Sequence, residues 1–231
     1  MSSILKPLES RERAVVAFLW ILLVVEWIGI LVSYKWLETV RKVYASGSME
    51  DIAQIQSSAM LTLIQVIVNL GLYIAVIIAF LMWMRRAYYN LGTRVDLDNT
   101  DGWVVGYWFI PILNLYKPYQ LMKEMFTKTT DYLQTNSEVF NPKPFGGMLR
   151  GWWILWIITG LLGNISMRLP SDAPSDLYLV FQLELIAAIL SIPLTILIVI
   201  IIKRYSDMAY DMESVVFNKA DEDLSDHLTV A

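Results

Sequence analysis

The sequence predicts an all-α integral membrane protein, with four transmembrane helices and a re-entrant or interfacial helical segment between the second and the third. Three observations predict it. Apolar residues make up 56% of the 231-residue chain and charged residues only 17%, where a soluble domain carries nearer a quarter. Hydrophobic runs at about 14–34, 59–84, 151–168 and 177–202 have the length and composition of membrane spans. A fifth apolar stretch, 102–116, is too short. At ~1.5 Å per residue a helix of that length reaches ~22 Å, against a hydrocarbon core of ~30 Å.

Each element follows from its residues. A short polar lead with Lys6, Arg11 and Arg13 precedes the first run. That run is longer than a signal-peptide core and no small-residue cleavage site follows it, so it is expected to stay as the first helix. Residues 35–57 are polar, with a turn signal at Ser46-Gly47-Ser48 and a helix start expected at Ser48. The second run closes at Trp83, Arg85 and Arg86, an aromatic and basic interface anchor. Its helix is expected to continue to Gly92 and stop there on a left-handed cap.

Residues 94–101 read as a polar turn, and the stretch 102–116 then brings Trp103, Tyr107, Trp108, Phe109 and Tyr116 together. Pro111 inside it and Pro118 just after it forbid one smooth helix, because proline lacks the N–H and clashes with the preceding turn. Apolar residues then recur at Tyr119, Met122, Phe126 and Leu133, with Lys117, Lys123, Glu124 and Lys128 on other faces. This is an amphipathic helix, expected to lie along the membrane surface. The insert as a whole covers about 92–135. A Pro- and Gly-rich loop at 141–147 leads into the third span, which opens on Trp152, Trp153 and Trp156 and carries Thr159, Gly160 and Gly163 as a small-residue side. A turn at 170–174 precedes the fourth span. Pro193 should kink that span, and Lys203 and Arg204 end it. Met208, Met212 and Val215 continue a helical period into a polar, acidic C-terminal tail, 205–231. The chain, 1–231, reads as a single membrane domain.

Orientation follows from lysine and arginine. Three precede the first span, eight lie in 85–150 and three follow the fourth span, against three in 35–57 and one in 168–176. Both termini and the insert are therefore expected in the cytoplasm. Were 102–121 to cross, one of its basic flanks would land outside.

Composition also excludes chemistry. No cysteine is present, and the lone histidine, His227, lies in the tail. Thiolate nucleophiles, Cys-ligated metals, His-based zinc or haem sites and Ser–His–Asp catalysis are excluded. A net charge of −4 argues against a nucleic-acid partner. No cofactor and no metal site is expected. Asp96, Asp98, Asp101 and Gly102 spell D-x-D-x-x-D-G, but the spacing departs from an EF-hand loop, and Tyr107 stands where the twelfth-position glutamate belongs.

The central stretch resembles the bacterial membrane family catalogued as domain of unknown function 4328. The matching residues are Trp83, Arg86, Asn90-Leu91, Gly102-Trp103, Val105-Gly106, Trp108-Phe109-Ile110-Pro111, Asn114, Pro118-Tyr119, Met122 and Glu124. Asp101 and Phe126 depart from the pattern, which often has Pro and Trp there. The resemblance covers about 15–205. It implies a multi-helix protein of the bacterial inner membrane and no activity.

Two sets of residues are candidates for function. Around the insert, Arg85, Arg86, Asn90, Trp103, Trp108, Asn114, Lys117 and Tyr119 could hold lipid headgroups or a partner. Their structural reading is topology, belt and backbone capping. Within the spans, Glu26 and Glu184 are expected at similar depth. Intramembrane carboxylates face a bundle interior or a wet cavity and mark ion paths, or they make interhelical hydrogen bonds.

The leading expectation is a non-enzymatic component that binds membrane lipids, a membrane protein or a second copy of itself through 83–126. The alternatives are a small proton, cation or solute transporter or channel using Glu26 and Glu184, and a lipid-headgroup enzyme using Asp96, Asp98 and Asp101.

Overall fold

The structure, a computed structural model, describes residues 5–46, 49–169 and 174–229. Seven α-helices and one 3₁₀ turn make up these residues, with no strand among them: α1 (Glu9–Ser46), α2 (Met49–Gly92), α3 (Asp101–Gly106), the 3₁₀ turn (Tyr107–Phe109), α4 (Pro111–Asn114), α5 (Lys117–Asn136), α6 (Gly146–Ser166) and α7 (Pro174–Thr229). Among the described residues, four helices are long and apolar enough to cross a membrane. They are Glu9–Lys42, Leu63–Gly92, Gly146–Ser166 and Asp176–Phe217, each holding an 18-residue stretch whose mean hydropathy is 2.7, 2.5, 1.2 and 3.1 respectively. The chain is an all-α membrane protein.

The helices outrun the apolar runs that nucleate them. α1 absorbs most of the polar stretch after residue 34, and α7 continues through the acidic C-terminal residues. Such extensions cost little, since polar residues at a helix end keep their hydrogen bonds and meet water. The helix start expected at Ser48 and residues 170–173 of the turn expected at 170–174 lie outside the described residues, and Pro174 opens α7. Gly92 does end α2, but its backbone is not left-handed. Instead the N–H groups of Arg94 and Val95 reach the Leu91 carbonyl at 2.9 and 3.1 Å. A Cβ on Gly92 would stand 3.0 Å from Leu97 Cδ1, so close approach rather than a left-handed cap favours glycine there.

The chain divides into two compact units. The first comprises Met1–Val15, Ala79–Gly151 and Val199–Ala231, the second Val16–Ile78 and Trp152–Ile198. The first unit has a dry core of Trp83, Met84, Tyr88, Leu91, Met122, Phe126 and Tyr205, each no more than 1% exposed. Tyr205 meets Trp83 edge-on at 5.9 Å and Phe126 at 5.4 Å, and Phe126 stacks on Phe145 at 5.2 Å. Its two polar neighbours are matched: Trp83 Nε1 donates to Ser206 Oγ (3.2 Å), and Tyr205 Oη lies 3.3 Å from Thr129 Oγ1.

α5 is amphipathic, with Leu121, Met122, Met125, Phe126, Thr129 and Leu133 buried. This corrects the surface-lying helix expected from its pattern. Its apolar stripe is covered by protein, so lipid does not solvate it.

The second unit has a different solvent. Leu31, Leu61, Leu63, Ile67, Leu70 and Leu161 are all around 60% exposed. Water would not tolerate so much continuous exposed hydrocarbon, but a lipid phase does. Within it Tyr34 packs on Phe181 at 6.0 Å and Trp153 stacks on Trp156 at 4.7 Å. On α6, a Cβ at Gly160 or Gly163 would meet nothing within 4 Å, so among the described residues no close helix contact uses the small-residue side.

Candidate functional site

The insert between α2 and α5 is built from pieces that cannot fuse. α3 has 6 residues, the 3₁₀ turn 3 and α4 4, each far below the ~20 residues a crossing requires. Ile110 breaks the run with extended dihedrals (φ −100°, ψ 111°), and Pro111 opens α4. Pro118 lies in the first turn of α5. At a helix start proline gives up no hydrogen bond and its fixed φ is already right. Both prolines therefore start helices, and the same chemistry prevents one continuous helix.

The two flanks of this insert are fastened to each other. Asp98 donates its backbone N–H to Glu124 Oε1 (2.8 Å), and the Tyr88 hydroxyl donates to Glu124 Oε2 (3.1 Å). The same hydroxyl accepts the Asn99 N–H at 3.1 Å, and Asn99 Oδ1 accepts the Tyr107 hydroxyl at 2.8 Å. Lys128 donates to the Asp96 carbonyl (2.6 Å) and pairs with Asp98 (3.2 Å) and Glu124 (3.5 Å). The Glu124 side chain is only 10% exposed. Burial disfavours the Lys128 charge, but the Asp98 and Glu124 carboxylates outweigh it and raise the ammonium above the ordinary lysine range.

Beside this network lies an open cavity of about 290 Å³, lined by Tyr88, Tyr89, Thr93, Asp96, Asn99 and Asp101 among others. Glu124, Tyr88, Asn99 and Lys128 were not among the sequence candidates. Only the four-residue spacing of Glu124 and Lys128 hints at them.

The predicted residues disperse over several tasks. Arg85 pairs with Asp101 (Nε to Oδ2, 3.1 Å). Arg86 donates to the Pro7 carbonyl at 3.3 Å. Asn90 is buried and grips the Lys6 backbone at both ends, accepting its N–H at 3.1 Å and donating to its carbonyl at 2.8 Å. Its side chain thus serves the N-terminal segment, not the end of α2. The Lys6 ammonium sits 3.8 Å over the Tyr89 ring. Trp103 stacks on Tyr107 at 5.4 Å, and Lys117 stands 5.3 Å over Tyr107 and 6.0 Å over Tyr116. Trp108 leaves that group and meets Phe80 edge-on at 5.3 Å. Asn114 Oδ1 is buried with no hydrogen-bond partner among the described residues. Tyr119 is half-buried.

Asp98 and Asp101 turn to different cations, Lys128 and Arg85. Among the described residues no three carboxylate or histidine side chains converge as a metal cage.

The outward side of the insert is apolar. Trp103 is 53% exposed, Phe109 68%, Ile112 75% and Leu115 57%. In the same unit the large apolar side chains of α5 are sealed, so the exposed apolar side of the insert lies on the Pro-broken pieces and not on α5.

In the second unit Glu26 accepts a hydrogen bond from the Tyr73 hydroxyl, and Gln65 Nε2 donates to the Val25 carbonyl at 3.0 Å. Glu184 is exposed. No hydrogen bond or ion pair joins it to another described residue.

A family model described as "Domain of unknown function (DUF4328)" matches residues 46–207. No curated protein and no solved structure matches the chain.

Proposed function

We propose, for a chain that belongs to the DUF4328 family, a non-enzymatic role as a multi-pass component of the bacterial inner membrane that engages lipid through the insert of residues 83–126. The termini and the insert face the cytoplasm. The insert dips into the bilayer from that side and turns back.

A single observation carries the proposal. Trp103, Phe109, Ile112 and Leu115 stand out from short helices, while the entry and exit of the segment are hydrogen-bonded together through Asp98 and Glu124. A segment whose ends meet leaves and returns on one side. Its exposed rings and branched chains would then be solvated by acyl chains, and Trp103, Tyr107 and Tyr116 would lie at headgroup level, where amphipathic rings are favoured. Several basic residues flanking the insert are occupied: Arg85 by Asp101, Arg86 by Pro7, Lys128 by Asp98 and Glu124. Apolar insertion, more than anion capture, is therefore the main term.

The absence of cysteine makes the test clean, because a single introduced thiol is unique. Ile112→Cys and Val139→Cys variants, each carrying an environment-sensitive fluorophore, are reconstituted with lipids brominated along the acyl chain. The label at 112 is expected to be blue-shifted and quenched, and that at 139, on a residue 93% exposed, to be neither. Equal, water-like emission from both sites sinks the proposal. Quenching replaced by protection on adding a native membrane extract would point to a protein partner instead.

A further inference from the structure

Lys117 is held by rings and not by acids. Its ammonium stands 5.3 Å over the Tyr107 ring and 6.0 Å over the Tyr116 ring. Tyr107 is fixed in turn: Trp103 stacks on it at 5.4 Å, and its hydroxyl donates to Asn99 Oδ1 at 2.8 Å. Among the described residues no carboxylate pairs with Lys117, whereas Arg85 and Lys128 are each matched by an aspartate.

A ring face attracts an ammonium without cancelling its charge, and lysine has three N–H donors to place. Lys117 thus keeps a full positive charge in a position that its rings restrict. It is also the first residue of α5, a 20-residue helix, so the positive end of the helix dipole adds to the same potential. Just before it in the chain, Ile112 and Leu115 are 75% and 57% exposed. A soluble anion would use the charge alone. A lipid with an anionic phosphodiester would use both features, its phosphate on Lys117 and its acyl chains on the exposed hydrocarbon. A zwitterionic headgroup brings an ammonium of its own and gains less.

We infer, on the premise that the insert engages lipid, that Lys117 gives it a preference for lipids with a net-anionic phosphodiester headgroup. The ammonium held by Tyr107 and Tyr116 receives the phosphate. Apolar insertion supplies the attachment, and Lys117 selects among headgroups.

The test uses the full chain in phosphatidylcholine nanodiscs, labelled through Ile112→Cys with the same fluorophore. A minor fraction of the lipid carries bromines on its acyl chains, as phosphatidylglycerol in one sample and phosphatidylcholine in the other. Brominated phosphatidylglycerol is expected to quench the label about two- to fivefold more, the scale of one surface charge. Lys117→Gln should abolish the difference, and Lys117→Arg should keep it. Lys123→Gln removes an exposed charge on α5 and should leave it unchanged. Soluble glycerol 3-phosphate in excess should not displace the brominated lipid. Circular dichroism verifies that each variant is folded.

Nanodiscs in which every lipid is brominated read insertion by itself, and quenching there should be equal with and without Lys117→Gln. No quenching in them removes lipid engagement and this preference with it. Quenching in them leaves lipid engagement standing and isolates Lys117. Equal quenching by the two headgroups then overturns its role, as does a preference that survives Lys117→Gln or is lost equally in Lys123→Gln. Displacement by glycerol 3-phosphate assigns the charge to a soluble anion and overturns the lipid assignment.

Discussion

Glu124 on α5 accepts the backbone N–H of Asp98, 26 positions earlier in the chain, at 2.8 Å. The bond ties the departure of the insert from α2 to its arrival at α5. Glu124 serves the Tyr88 hydroxyl with its other oxygen, so one carboxylate satisfies two donors from the opposite flank.

Replacing Glu124 by Ala should strand both donors in a poorly hydrated place. The expected loss is about 2–4 kcal/mol, seen as a lower thermal midpoint in detergent. Hydrogen exchange should accelerate at 95–100 more than in α6. Glu124→Gln keeps one acceptor and should lose about half as much. A midpoint unchanged in Glu124→Ala would show that the clasp contributes nothing.

Phe126 touches Phe145 and Tyr205 in a sealed core. Phe126→Ala should cost about 3–5 kcal/mol. Ile112→Ala, at a position 75% exposed, should leave stability in detergent within about 0.5 kcal/mol. Denaturant or thermal unfolding of the two variants side by side checks the contrast.

Lys128 carries a raised pKa, its burial outweighed by Asp98 and Glu124. A raised amine stabilises fully below the ordinary lysine value of ~10.4 and loses that contribution as pH rises through the higher folded value. The midpoint difference between wild type and Lys128→Met should therefore be steady from neutral pH up to that range and shrink above it. The ammonium is partly solvent-screened, so the difference should be small, under about 1 kcal/mol. A difference that grows with alkalinity would contradict the assignment.

Asn90 substitutes for a backbone in holding Lys6 from both sides. Asn90→Leu should free the segment before α1 at a cost of about 1–3 kcal/mol. Limited chymotrypsin digestion should then cut after Leu5 or Leu8 faster than in wild type, and Arg86→Met should add to the effect by releasing Pro7.

Local rules carried much of this architecture. Met122, Phe126 and Leu133 recur at helical spacing and are all buried. Pro111 and Pro118 mark breaks because proline chemistry is local, and both open helices. The solvent facing a stripe was not legible: lipid and protein interior are both apolar, so the pattern of α5 cannot tell one from the other. Nor were the long-range partners. Asn90 meets Lys6 across 84 positions and Glu124 meets Asp98 across 26, and no periodicity encodes either. Arg85 and Arg86 read as an interface anchor and candidate headgroup ligands, because their partners, Asp101 and the Pro7 carbonyl, are set only by the fold.

The first unit is assembled from three separated stretches of chain, and Tyr210 near the end of α7 donates to Glu12 near the start of α1 at 3.0 Å. During biosynthesis the opening stretch must therefore wait for α7 to leave the ribosome before Tyr210, a partner of Glu12, exists. The Asp98–Glu124 clasp becomes possible far earlier. A translation arrest placed far enough beyond α5 for Glu124 to have left the ribosome should yield an intermediate with the insert already latched and the Tyr210–Glu12 contact still unmade.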